Sequence, residues 1–385
     1  MRKLLFILFF VPLLAGLGWW YFHQRSLPQY GPSYREYAYV TNGRSNTVSV
    51  IDLTTFEAAG TIRVGSEPTG IAANSQKNEV YVVNTASNNV SIINAEKNAV
   101  ISTIGVHGAP YFIDVSEDGK RAYVANSGSA NVSVLDLDRR VVIANVRVGP
   151  APGLARVSPD GRTVVVSNRG DQSVSLIDAQ QLKVVATIQV CSQPEDIAIV
   201  PDNSKAFVAC TGSSQVASVD LKSGKLLALL DVGKTPVSLT LKPDGGELMV
   251  SNFDSDSISI IEAGTNEVSG SNLIGTHPSR GVVSADNSRL YVSNFGSNSV
   301  AVYDIDLGKV IASLPVGSRP DGLALSQNQN YLLVLNSGSG DMTVIQKRKS
   351  TRLEPSEYSL LTMIPLGAQP NNIVVKSFVL GKGRK

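Results

Sequence analysis

One period, 42 residues long, governs this chain. Asparagines that close a short Tyr/Val-rich run stand at Asn42, Asn84, Asn126, Asn168, Asn252, Asn294 and Asn336, and Cys210 fills the one vacant place in the series. Asp52, Asn94, Asp136, Asp178, Asp220, Glu262, Asp304 and Gln346 keep the same spacing. So do Pro68, Pro110, Pro152, Pro194, Pro236, Pro278 and Pro320, with Pro370 following after an insertion around residues 347–359. Three registers with one period mean a solenoid, a propeller or an array, in which no unit buries its apolar face alone.

The unit is all-β. Val164-Val165-Val166 and Tyr291-Val292-Ser293 are β-branched or aromatic runs, and Val132-Ser133-Val134 and Ile258-Ser259-Ile260 alternate apolar with small polar. Turn clusters such as Ser158-Pro159-Asp160-Gly161 separate them. Each unit supplies four strands, A (from the Pro), B (ending in the Asn), C (ending in the Asp series) and D, which is the size of a propeller blade. The chain starts on B–C–D and finishes on a lone A strand. Pairing that last strand with the first B strand gives an eight-bladed β-propeller with 3+1 closure and removes two sheet edges.

Tyr39-Val40-Thr41-Asn42, its partners at 42-residue steps and the Val-Gly-x-x-Pro-x-Gly-Ile-Ala link over residues 64–72 resemble the YVTN family of β-propeller repeats. The family takes in archaeal surface-layer-like proteins and exported bacterial propellers. The resemblance covers residues 37–376 and implies the fold. It brings no catalytic residue to any position of this chain.

Upstream, Arg2 and Lys3 precede an apolar run over residues 4–22 that ends in Trp19, Trp20, Tyr21 and Phe22. A run of this length spans a hydrocarbon core of about 30 Å. The basic pair places the rest of the chain on the outer side, periplasmic or extracellular. The terminal aromatics and the lack of a small-x-small cleavage site favour a signal anchor, with a cleaved signal peptide as the alternative. The organisation read from sequence is thus 1–24 anchor or signal peptide, 25–36 linker, 37–378 propeller and 379–385 basic tail. Membrane contact is expected through residues 4–22.

Departures from the repeat say most about function. The glycine three residues before each Pro (Gly65, Gly149, Gly233, Gly275, Gly317, Gly367) gives way to His107 and Cys191, and the B-strand asparagine gives way to Cys210. The chain's only two cysteines thus fall in one repeat, where strand A starts and strand B ends on the same face. A Cys191–Cys210 disulfide is expected in an oxidising compartment. Two cysteines exclude a thiolate-rich metal centre, three histidines argue against a multi-histidine one, and no cofactor is predicted. The formal net charge of +2 argues against a dedicated nucleic-acid binder.

The residues flanking each Pro should ring the channel mouth: Glu67, Tyr111, Gln193, Glu195, Asp196, His277, Arg280, Arg319, Asp321, Gln369, Asn371 and Asn372. This ring is polar and differs from blade to blade, which suits a protein, peptide or glycan ligand. The opposite face carries Lys77, Lys97, Arg139, Arg140, Lys222 and Lys225, a weaker candidate for anionic partners. The reading that follows is a membrane-tethered, non-enzymatic binding scaffold. The alternatives are a haem- or quinone-type redox propeller, by analogy of fold only, and a lactonase-like hydrolase using Glu67, Glu195, Asp196 and Asp321.

Overall fold

Strand B of the second repeat, Glu79–Asn84, is buried along its whole length, whereas strand D of the first, Glu57–Arg63, is exposed at every position but one. This gradient explains the sequence pattern. Strands covered on both faces read as continuous Val/Tyr/Ile runs rather than alternating ones, and the outermost strand is free to carry charge. The structure, a computed structural model, describes residues 30–348 and 357–381. They form eight four-stranded antiparallel sheets, seven with the order A-B-C-D along the chain. The eighth, blade 1, joins Tyr34–Asn42, Thr47–Asp52 and Glu57–Arg63 to the last strand, Pro370–Val379.

This is the expected eight-bladed propeller with 3+1 closure. The closing pair runs in register from Tyr34↔Val379 to Thr41↔Asn372. The first strand therefore starts at Tyr34, upstream of the boundary at residue 37, because the last strand continues past the repeat pattern to meet it. Blades 2 to 8 contribute the inner strands Pro68–Ala73, Pro110–Val115, Pro152–Val157, Pro194–Ile199, Pro236–Leu241, Pro278–Val283 and Pro320–Leu325. Each touches the inner strand of the next blade, and the closing strand touches those of blades 8 and 2, so the ring is complete. The cores lie between blades: Ala38, Val40 and Ile51 of blade 1 pack on Leu333, Leu335 and Val344 of blade 8. The apolar run at residues 4–22 lies outside the described residues. Among the described residues no helix is long and apolar enough to cross a membrane.

The asparagine series is a buried clamp. Asn84 Nδ2 donates to Asn89 Oδ1 at 2.8 Å and to Ser91 Oγ at 2.9 Å, tying the end of strand B to the start of strand C. Asn42, Asn126, Asn168, Asn252 and Asn336 make the same pair of bonds to the residues five and seven places on. In five of the six clamps a glycine packs against the asparagine, and a Cβ on Gly65 would lie 2.7 Å from the Asn84 side chain; blade 3 keeps the clamp of Asn126 with His107 in the glycine's place. In blade 5 both members are cysteine, and Cys191 and Cys210 form the expected disulfide, with Cα atoms 5.6 Å apart. Ala217, seven residues after Cys210, stands where the other clamps place a hydroxyl.

Candidate functional site at the channel mouth

The eight inner strands surround a channel, and their proline ends define its mouth. The residue before each Pro sits in the left-handed region, with φ between 48° and 56°. Its carbonyl accepts an N–H from the loop after strand B, as Glu67 O does from Thr85 and Arg319 O from Ser337. That geometry holds Glu67, Gln193, His277, Arg319 and Gln369 on the outer rim. Glu67, Gln193, Arg319 and Gln369 are exposed there, while His277 stacks flat on Phe253 with ring centroids 4.5 Å apart. The rim position is therefore a backbone device, and its side chain is free to vary.

The residues after each Pro lie deeper. Tyr111, Glu195, Asp196, Arg280, Asp321, Asn371 and Asn372 all line one cavity of about 250 Å³, together with Thr69, Phe112, Leu154, Arg156 and Val237. The structure thus brings together seven of the twelve expected residues and leaves five on the rim. Beneath this polar chamber lies a wider space of about 670 Å³ walled by Ile71, Ile113, Val283, Leu325 and Val375. Phe112, Arg156 and Asn372 border both.

The charges in the upper chamber are organised. Arg169, from the loop after strand B of blade 4, pairs with Glu195 at 3.3 Å, donates to Ser127 Oγ at 2.9 Å and lies over the Tyr111 ring, 4.7 Å from its centroid. Burial pushes the Glu195 carboxyl above its usual range, and Arg169 opposes that shift. Asp196 accepts the N–H of Ile197 and, across the blade boundary, that of Leu239, both at 2.9 Å. Asp321 accepts from Ser279 Oγ at 3.0 Å. Asn371 accepts from Thr41 Oγ1 at 2.5 Å and donates to Pro68 O at 3.0 Å. Arg280 lines the chamber and is open to the channel while surrounded by protein. Burial there disfavours its charge, and the carboxylates of Asp196 and Asp321 more than offset this, leaving its pKa above the ordinary arginine value.

Between the chambers, Arg156 stacks on Phe112 at 4.6 Å and stands 3.9 Å from Asp114, which in turn accepts the Val157 N–H. Burial raises the Asp114 pKa. Sequence reasoning missed Asp114, Arg156 and Arg169. The first two occupy the same place in successive repeats, where the other blades carry Ala, Thr or Val, so the signal was there. Arg169 carries none, because it follows the clamp asparagine in a loop of variable composition.

Other candidates stay apart. His107 bonds Asn131 at 2.7 Å and lies four blades from His277. Among the described residues no three His, Cys, Asp or Glu side chains are placed to hold a metal ion. On the opposite face Lys77 pairs with Asp138 at 2.7 Å and Arg140 with Glu79 at 3.0 Å, which neutralises part of the basic cluster.

The fold has known counterparts. A hydrazine synthase structure from Kuenenia stuttgartiensis aligns with 69% of this chain and 91% of its own, at 23% identity and a TM-score of 0.58. The dihydro-heme d1 dehydrogenase NirN in complex with DHE aligns over 91% of this chain and 77% of its own, at 14% identity and a TM-score of 0.73. A functionally unknown protein from Desulfotomaculum acetoxidans DSM 771 aligns over 77% and 98%, at 18% identity and 0.60. At these identities the likeness is one of fold. A search of curated proteins finds no match. The family model of the seven-bladed β-propeller lactonases matches residues 265–360. That of the YNCE-like β-propellers matches residues 18–157 and 153–244. Those two stretches span more than half of the chain, which therefore belongs to the YNCE-like β-propeller family.

Proposed function

We propose that this protein is a non-enzymatic recognition module, tethered outside the cytoplasm by residues 4–22, that takes a protruding group of a protein, peptide or glycan into the upper chamber of its channel. The observation that carries the reading is the chamber itself. It is where the near-identical blades differ most, and its carboxylates are fixed by backbone N–H groups, a serine hydroxyl and Arg169. Groups held this way position a ligand. They lack the free acid–base pair that a hydrolase needs, which weighs against the lactonase-like alternative. Haem-type redox chemistry has little support from the donor set, since both described histidines lie in the loops outside the channel and both cysteines are bonded to each other. The disulfide agrees with an oxidising compartment, and the surface-layer-like resemblance of the repeats with display at the cell envelope.

Val237→Trp tests the reading by filling the chamber from a half-buried wall position. On a defined array of peptides and oligosaccharides, the full-length chain should retain a subset of probes that the variant loses by at least tenfold. An array that stays blank, or equal retention by the variant, would count against it.

A further inference from the structure

The upper chamber holds more hydrogen-bond donors than acceptors, and this defines what it can receive. Both oxygens of Asp196 accept backbone N–H groups, Glu195 is held by Arg169, and one oxygen of Asp321 is taken by Ser279. The Asn371 amide is used at both ends, and Asn372 Oδ1 accepts the Ile373 N–H. The Arg280 guanidinium makes no hydrogen bond among the described residues, although its backbone is tied on both sides to Ser293. The free groups are therefore the Arg280 fork, Asn372 Nδ2, the Tyr111 hydroxyl and, at the chamber floor, the Arg156 guanidinium, which faces Asp114 at 3.9 Å without a hydrogen bond, with Asp321 Oδ2 as the free carboxylate oxygen beside Arg280.

A guanidinium fork matches a carboxylate through two parallel bonds. A second acidic group on the same ligand would meet Glu195, Asp196 and Asp321 and be repelled. A hydroxyl or ammonium beside the carboxylate suits Asp321 Oδ2. We infer that the chamber binds a small monocarboxylate bearing a neighbouring hydroxyl or ammonium, with Arg280 gripping the carboxylate and Asp321 the adjacent donor. This rests on the binding role proposed above and names its ligand class.

The test is calorimetric titration of the full-length chain with D-glucuronate and L-alanine, each against its counterpart lacking the carboxylate, D-glucose and L-alaninol. At least one acid should bind, with its counterpart weaker by about tenfold or more, as expected for charge-assisted bonds. Arg280→Gln should weaken that acid by about as much, with the strand content by circular dichroism unchanged, even though Asp196 and Asp321 lose the charge that faces them. Asp321→Asn should weaken L-alanine more than D-glucuronate. Equal binding of an acid and its counterpart, or full binding by Arg280→Gln, overturns the carboxylate assignment and leaves the binding role standing. Silence from both acids overturns it as well. If the array described above is also blank, the binding role falls with it.

Discussion

At the scale of single residues, the repeat runs a natural exchange experiment. Six blades clamp strand B with an asparagine amide on two side chains, five and seven places on. Asn294 shows what happens when one is lost: Ala301 stands at the seventh place, and Nδ2 turns to the Ile274 carbonyl at 3.3 Å. Blade 5 has lost the same hydroxyl, as Ala217, and has replaced the clamp by a disulfide. Cys191→Ala with Cys210→Ala should lower stability by about 3 kcal/mol, the scale for a cross-link closing a loop of this length. Restoring the repeat's own solution, Cys191→Gly with Cys210→Asn and Ala217→Ser, should regain about 1 kcal/mol for the amide–hydroxyl bond. Urea unfolding with and without reductant separates them: reductant should destabilise the natural chain and leave both variants untouched. A restored clamp no more stable than the double alanine variant would refute the equivalence. The cysteine pairing was legible because repeat register places residues 191 and 210 together. The reason for it, a glycine held against an asparagine, is a contact in space that spacing does not display.

Among the elements, the A–B turns carry the strongest local chemistry. A serine hydroxyl donates to an aspartate two residues on, in Ser116–Asp118 at 2.7 Å, Ser158–Asp160 at 2.6 Å and Ser284–Asp286 at 2.5 Å. Hydrogen bonds from Ser284 and Ser288 pull the Asp286 carboxyl from 3.8 down to about 2, and the Ser116 bond lowers Asp118. A carboxyl whose folded pKa is depressed contributes its full stabilisation above the unfolded value and loses it as pH falls through the folded one. The turns should therefore hold above about pH 4 and weaken progressively toward pH 2. Carboxyl carbon shifts followed by NMR should place Asp286 near 2, and Ser288→Ala should move it toward 3.8; an Asp286 midpoint already at the ordinary value would contradict the geometry. These turns, like the strands, could be read from Ser-Pro-Asp-Gly clusters and apolar runs. The extent of the two closing strands could not. They run beyond the 42-residue pattern because each answers only to the other, Tyr34 to Val379. The site was half legible for a similar reason: proline marks where the mouth begins, but only the ring's curvature decides that the residue before it faces outward and those after it face the lumen.

For the whole molecule, closure is the decisive feature. The ring is joined by a strand pairing rather than a covalent bond, and the last strand serves three blades at once. Ile373 packs into the blade 1–blade 8 core beside Leu333 and Leu335, and Phe378 into the core that Tyr39 shares with Ile71 of blade 2. Lys376 is buried and donates from Nζ to the Asn74 carbonyl at 2.6 Å. A chain ending at residue 369 would expose the edge of Tyr34–Asn42 and both apolar flanks. Losing burial of Ile373 and Phe378 alone costs roughly 5 kcal/mol, and at about 2 °C per kcal/mol for a chain of this size the melting temperature should fall by roughly 10 °C or more. A chain ending at residue 381 keeps every described closing contact and should melt like the full-length protein. A synthetic peptide of residues 370–381, added to the chain ending at 369, should recover much of the loss in a concentration-dependent way, because the open edge offers it an ordered antiparallel partner. Unchanged melting after truncation would mean that the blades hold together as a stack without the ring. The channel, and with it the convergence of Arg280, Asp196 and Asp321 from three separate blades, would then owe nothing to closure.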